Sequence, residues 1–514
     1  MGRSTKTIST SRTRAYEPHN VLITHLPALQ VVLPLAAAPL CVLLRDPRHA
    51  WFCALAVSWL VMAIAISIVM QVHAAGTLSY AIGAWAAPWG IEYRIDMASA
   101  LMILVITAIG AVTMLFAWRS IQHEIHKKNV SLFYTCFLLC MTGLLGIVVT
   151  GDAFNLFVFL EISSLSAYIM ISLGPTRRAM TAAFQYLVMG TIVATFILVV
   201  IGLLYMMTGT LNMADLAQRL PEVDDTRTIR VAFAFVTVGV SIKLALFPLH
   251  LWLPNAYTFA PSVVSAFVAA TATKVGIYIL LRFFFTVFGI RFSFDAMHVG
   301  EILMLLSVAG ILVASTVAIF QSNVKRMLAY SSVAQIGYIV LGISLATTDG
   351  VTAGMIHLFN HAIIKGALFL AMGCIFLQLG STDLRAMRGL ARKMPWTMAA
   401  FVAGGLGLIG IPLTAGFISK WYLITAVLAE GLWPLVALVP ASSLLALIYI
   451  WRVVETAYFK TPTRDIKEVR EAPPAMLAPV WLLIGASIYF GVYNELITGI
   501  AQQGAEILIG HPGD

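Results

Sequence analysis

Apolar stretches of about 18 residues or more, long enough to cross a bilayer, recur along nearly the whole of this chain. In hydrocarbon every backbone N–H and C=O must be satisfied inside the protein, so such stretches become helices. The expected fold is therefore an all-α, polytopic membrane bundle. The composition agrees: of 514 residues, 60% are hydrophobic and 11% charged, a balance foreign to soluble domains. Fourteen spans are expected, near 27–44, 52–72, 96–118, 131–150, 154–173, 180–207, 229–253, 261–288, 300–320, 326–346, 351–379, 396–428, 432–457 and 475–499. The segment from Val72 to Asp96 is too polar for a span, and its Trp85 and Trp89 suit an interface. The stretches 208–228 and 458–474 are expected as aqueous loops.

Charges inside the spans are the feature that points to function. Lys243, Lys274, Lys365, Lys420 and Glu161 all fall within apolar stretches. A charge at the bilayer centre costs about 2.5–3.5 kcal/mol on insertion scales, so such residues usually mark ion or proton pathways. Opposite charges ~4 Å apart at an effective dielectric of ~20 attract by roughly 4 kcal/mol, falling to ~1.7 at ~10 Å. Opening and closing a Glu161–Lys243 pair can therefore load and unload a proton. Pro248 follows Lys243 and breaks its helix, freeing carbonyls that could accept from the ammonium or from ordered water. Lys274 has small and hydroxyl neighbours that leave room for water. His357, His361 and Lys365 follow at i, i+4, i+8, one helical stripe that reads as a relay. Lys420, beside Pro412, is the base nearest the end of the series and suits release. Asp152, at a span edge, and His250, just after Pro248, are accessory candidates. Blander readings stand beside these: Glu161 and Lys420 could snorkel to a surface, Lys243 could merely neutralise Glu161, and Lys274 could rest on helix carbonyls.

The two proline-broken spans give the organisation. Lys243 with Pro248 lies in the seventh span, and Pro412 with Lys420 in the twelfth. Five is an odd number of spans, so the second unit is inverted relative to the first, and matched broken helices point to a transport site. The expected divisions are a basic extension over 1–26, three spans over 27–130, five-span units over 131–288 and 299–457, and a loop with the last span over 458–514.

Other chemistry is excluded by spacing. Cys41, Cys53, Cys136, Cys140 and Cys374 lie in apolar segments without a CxxC pair, against disulfide or iron–sulfur frameworks. No carboxylate or thiol complements the histidines as a metal site, and two histidines on one helix cannot both ligate one haem. Gly405, Gly407 and Gly410 match GxGxxG, but inside an apolar span with no strand before it, so they are expected to allow close helix packing or a flexible break instead. No cofactor and no nucleic-acid partner is expected, since most of the charge behind the net +9 sits in short loops. About 17 basic residues follow odd-numbered spans against 9 on the other side, which places both termini outside; the basic N-terminal tail opposes this. The apolar region after that tail reads as the first span, not as a cleaved signal peptide.

The segments TGDAFNLFVFLE, KLALFPLHLWLPNAY, ATKVGIYIL, VKRMLAYSSVAQIGYIVLG and GIPLTAGFISKW resemble the antiporter-like subunits of respiratory complex I and, most closely, the D subunits of Mrp-type sodium/proton antiporters. The likeness spans roughly 95–455. It implies fourteen helices, two inverted five-helix repeats, and a central line of buried charge. It implies that Glu161 is the glutamate of the fifth span paired with Lys243, Lys274 the connecting lysine and Lys420 the terminal one. The lysine in the twelfth span favours the Mrp side, and the HxxxHxxxK stripe resembles the largest complex I subunit of this type. Partners follow from the resemblance: other membrane subunits, the bilayer, protons and sodium. The competing implication is a pumping subunit of a complex I-like or hydrogenase-type redox complex.

Overall fold

The computed structural model describes residues 21–44, 46–462 and 468–510. Most of the expected N-terminal extension (residues 1–20) lies outside these, as do Arg45, Arg464 and Lys467. Among the described residues, twelve helices are long and apolar enough to cross a membrane. They are α1 (Leu26–Leu43), α2 (Pro47–Ala75), α3 (Met97–Glu124), α4 (Val130–Val149), α5 (Ala153–Ser172), α6 (Arg177–Thr208), α8 (Ser262–Leu281), α9 (Val299–Ile319), α10 (Val324–Ser344), α11 (Thr348–Leu379), α13 (Trp433–Val454) and α14 (Pro474–Val492). The seventh and twelfth spans are each split in two: α7a (Arg227–Leu244) with α7b (Trp252–Phe259), and α12a (Pro395–Ile409) with α12b (Ala415–Ala429). Fourteen spans result, with breaks at the expected prolines.

Three expectations need correction. The last span does not run to residue 499. It ends at Val492, and after Tyr493 and Asn494 a separate helix, α15 (Glu495–Ile509), begins. Its buried face (Ile497, Ile500, Ala501, Gly504, Leu508) follows helical spacing, so the apolar run continues although the chain has turned. The stretch 208–228 is not simply a solvated loop. Asn212 accepts from the N–H groups of Ala214 and Asp215, capping a helix over Met213–Arg219, and Met213, Leu216 and Leu220 are buried. Lys325, expected among the loop cations, is buried: its Nζ donates to the Ala260 carbonyl at 3.1 Å. The segment after α2 forms a hairpin, β1 (Leu78–Ala81) paired antiparallel with β2 (Glu92–Ile95), with Trp85 and Trp89 exposed between them.

The inverted relation has its own backbone signature. Where α5 begins, Asp152 bridges Asn212, and the Ala153 and Met213 N–H groups donate to the Leu211 and Gly151 carbonyls, each at 2.8 Å. Where α10 begins, Asn323 bridges Asp383, with Val324 and Leu384 donating to Thr382 and Ser322 at 2.9 and 2.8 Å. Both partners are displaced by 171 residues (152 to 323, 212 to 383). Five spans separate the two clasps, so they lie on opposite faces of the bundle.

The centre of the bundle is α8, every residue of which is buried. It is fixed at both ends by acids of α3 and its N-cap. At its start Glu124 accepts from the backbone N–H and hydroxyl of Ser262 at 2.8 and 3.1 Å, placing a carboxylate at the positive helix end. At its far end Asp96 pairs with Arg282 at 2.5 Å, and Arg282 also donates to Ser99 and Tyr278. Burial alone would push the Asp96 carboxyl up, but the guanidinium and the Ser99 bonds outweigh it and hold it below the usual carboxylate range. Around this centre α10 and α11 are largely buried, whereas α1, α2, α6 and α13 turn most of their apolar surface outward, as suits a lipid-facing rim.

Candidate functional site

Four lysines are buried at the level of the helix breaks and the helix centres: Lys243 is 4% exposed, Lys274 0%, Lys365 0% and Lys420 5%. Each ammonium is held by neutral groups. Lys243 Nζ donates to Ser164 Oγ on α5 at 2.6 Å. Lys274 Nζ donates to the Ala269 carbonyl at 2.5 Å and more weakly to Thr273 Oγ1 at 3.4 Å. Lys365 Nζ donates to the Leu328 carbonyl at 2.8 Å and to Ser331 Oγ, both on α10. Lys420 Nζ donates to the Ile409 carbonyl and Ser443 Oγ, both at 2.8 Å, and lies 4.9 Å from the centre of the Tyr338 ring.

The two breaks treat their lysines differently. In the seventh span, α7a ends with Ala245 at φ 60°, and the released carbonyls are taken internally. Leu246 N–H bonds Ser241 O, and the Trp252 indole bonds Ile242 O at 3.0 Å. Of the two uses expected for these carbonyls, that by the Lys243 ammonium is not seen: it donates to Ser164 instead. In the twelfth span it is the lysine that closes the helix end: Lys420 sits on the last carbonyls of α12a, where the helix dipole favours a cation. Gly410, at φ 89°, makes this fit, since a Cβ there would lie 2.9 Å from Lys420 Cδ. Gly416 at the start of α12b is equally constrained, for its Cβ would overlap the Gly407 carbonyl oxygen. Of the glycines expected to allow close packing or a break, Gly407 is the one packed against Gly416, and Gly410 lies at the break itself.

Glu161 and Lys243 do not form an ion pair within 4.0 Å in this structure. Glu161 is half-buried on α5, one turn before Ser164 and on the same helix face. The ammonium thus rests one turn away from the carboxylate. Asp152 spends its carboxylate as the helix cap of α5, accepting from Asn155 N–H at 2.7 Å. Burial pushes that carboxyl up, with the Asn155 and Phe154 N–H groups opposing. His250 is buried against the Phe247 ring at 5.4 Å, its Nδ1 unpartnered among the described residues.

The stripe on α11 faces the centre as expected. His357 bonds Ser419 of α12b through Nδ1 at 2.8 Å and Gln335 of α10 through Nε2 at 2.9 Å. The His361 ring stacks parallel to it at 6.3 Å, and neither of its nitrogens has a partner among the described residues. Asn360 donates to the Ala415 carbonyl at 2.6 Å across the twelfth-span break. Lys274 lies within electrostatic reach of His361 and Lys365, and Lys420 of His357. No hydrogen bond joins Lys243 to Lys274 among the described residues. The structure thus brings α8, α11 and α12b together as one group and leaves the Glu161–Lys243 pair as a second. Among the described residues no cluster of His, Cys, Asp and Glu could hold a metal.

Sequence reasoning passes over the partners: Ser164, Ser331, Gln335, Tyr338, Ser419 and Ser443. A signal is available in α10, where Ser331, Gln335 and Tyr338 recur at i, i+4, i+7 in an otherwise apolar span. The Asp96–Arg282 pair escapes it too, being joined across 186 positions.

An inverted bundle with two helices broken beside buried lysines defines an antiporter-like membrane subunit. The sequence profile of the NADH:quinone oxidoreductase/Mrp antiporter transmembrane family matches residues 150–446, and the chain belongs to that family. It is 40% identical to NADH-quinone oxidoreductase subunit N of Desulforudis audaxviator, over 93% of this chain and 98% of that one. It is 30% identical to the D subunit of the Na(+)/H(+) antiporter of Alkalihalophilus pseudofirmus, over 87% and 89%. A chain of the Mrp complex from Dietzia superposes with a TM-score of 0.87 at 26% identity, covering 96% of this chain and 98% of that one.

Proposed function

We propose that this chain moves protons through the membrane as one subunit of a multisubunit complex of the Mrp Na+/H+ antiporter type. Protons enter by Glu161 and Lys243, pass Lys274 through ordered water, use His361, His357 and Lys365, and leave at Lys420. Sodium is handled wholly or partly by neighbouring subunits. One observation carries this reading: the ammonium groups of Lys243, Lys274, Lys365 and Lys420 all rest on hydroxyls and carbonyls. A lysine so held can release its proton without stranding a buried carboxylate, whereas a structural ion pair cannot. The half-buried Glu161, one turn from the Lys243 resting place, supplies the attraction that reloads it. The orientation that suits the basic loops has both termini outside a bacterial inner membrane, and the working units are 131–288 and 299–457. The test is Lys243→Ala in everted vesicles: dye-reported proton movement should vanish while the complex still assembles, and retained activity refutes the role.

A second reading is favoured by the 40% identity to subunit N: the same proton path could serve a quinone-reducing redox complex. The chain would then do no redox chemistry itself. Iron–sulfur or flavin absorbance co-purifying with the tagged complex would select this reading over antiport.

A further inference from the structure

On the outer side of the bundle two adjoining cavities of about 620 and 270 Å³ share Gln185, Asn255 and Arg326. They lie where α6, the seventh-span break with α7b, and α10 meet, on the seam between the two five-span units. The smaller is bounded by Arg178 and Arg326, with Thr181, Gln185 and Asn255 beside them. The larger is lined by Phe184, Val188, Met189, Leu249 and Leu251, of which Phe184 is 64% exposed and Leu251 71%.

The charge here is unanswered. No carboxylate lines either cavity. Arg326 is half-buried, and its Nε–H is buried without a partner among the described residues, although a desolvated N–H calls for an acceptor. Arg178 lies 5.9 Å from the Phe259 ring centre and makes no ion pair within 4.0 Å. Both arginines follow odd-numbered spans, at the first turns of α6 and α10, and so sit at the same membrane face. From Arg178 to Met189 along α6 is 11 residues, about 16 Å of helix, which is roughly one half of a ~30 Å hydrocarbon core. A guanidinium pair at one membrane face and an apolar groove reaching mid-bilayer match one molecule of an amphiphile with an anionic head. We propose that this groove binds an anionic phospholipid, its phosphate on Arg326 and Arg178 and an acyl chain against Phe184, Val188 and Leu251. The groove wall includes Pro248, so the lipid abuts the break that follows Lys243. The lipid site does not depend on which ion the complex transports.

The test measures retained lipid, not transport. The complex is purified in detergent, exchanged into nanodiscs containing phosphatidylglycerol and phosphatidylcholine, stripped with mild detergent, and its bound lipid counted by native mass spectrometry. Wild type should retain phosphatidylglycerol over phosphatidylcholine. Arg326→Gln and the exposed Arg178→Gln should each lower retention by about five-fold, the effect of one basic residue at an anionic surface. Val188→Trp should lower it with both arginines intact. Added inorganic phosphate should not displace the lipid. Equal retention by the arginine variants overturns the proposal, as does equal retention of phosphatidylcholine. Displacement by phosphate makes this a free-anion site and overturns it too. Cross-linking of Leu251→Cys to another subunit at full yield overturns it by making the groove a protein contact. Because Arg178 is solvent-exposed, its variant keeps the test decisive if Arg326→Gln fails to assemble.

Discussion

Removing the hydroxyl of Ser164 should trap Lys243. Among the described residues that hydroxyl is the only hydrogen-bond partner of the ammonium, at 2.6 Å, and Glu161 lies one turn earlier on the same face of α5. If proton loading requires the ammonium to swing between the two, the resting position must be worth enough to compete with the carboxylate. A hydrogen bond to a charged group contributes about 1.5–3 kcal/mol, so Ser164→Ala should tilt the balance toward Glu161 by roughly 13- to 160-fold. A transporter held in its paired state turns over slowly. Dye-reported proton movement in everted vesicles should fall by about ten-fold or more, with the assembled complex recovered at wild-type yield. Ser164→Thr, which keeps the hydroxyl, should restore most of the rate. Wild-type turnover by Ser164→Ala would refute the two-position account and leave Glu161–Lys243 a static neutralising pair.

Other outcomes follow from particular contacts. His361→Leu should leave thermal stability unchanged or raise it, because two unpartnered buried nitrogens disappear, while proton movement drops; a loss of stability with transport intact would contradict the relay role. Gly416→Ala should block assembly, since its methyl would overlap the Gly407 carbonyl oxygen; normal yield on size-exclusion chromatography would show that the twelfth-span break can spread. Asp96→Asn should destabilise by about 3–5 kcal/mol, leaving Arg282 charged and unpaired, measurable as a large fall in melting temperature. The sign with pH follows from the depressed Asp96 carboxyl: its stabilisation is full above the unfolded value near ~3.9 and is lost as pH falls through the lower folded value. Asp96→Asn should therefore flatten the acid limb of the stability profile.

Much of the architecture is legible because apolar-to-polar transitions in this chain are sharp and capped. The edges of α4, α5, α9 and α10 fall within two residues of those expected, helped at α5 and α10 by Asp152 and Asn323 as helix caps. The end of α14 is illegible because α15 carries an apolar face of its own, and hydropathy does not register a change of direction. Lys325 reads as a loop residue because it adjoins Arg326 and the edge of an apolar run; only the Ala260 carbonyl, 65 positions away, reveals that it turns inward to a protein acceptor while its neighbour borders the outer cavities. The buried lysines and histidines stand out because ionisable groups are rare in apolar spans. Their serine and glutamine partners do not, since hydroxyls and amides are common in membrane helices and only the tertiary neighbour makes one of them special. The pairing of Glu161 with Lys243 rests on charge alone and cannot anticipate a neutral group one turn away.

The paired clasps bear on ancestry. Each pairs, through its backbone, an aspartate with an asparagine, in opposite chain order, Asp152 with Asn212 and Asn323 with Asp383. A segment with an odd number of crossings, copied and fused head to tail, lands upside down in its second copy. For both copies to have folded from the outset, the single-copy forebear must have entered the bilayer either way up, with no strong electrostatic preference for one leaflet. The uneven distribution of lysine and arginine now seen is then a later acquisition, fixed once fusion had made the choice of orientation permanent.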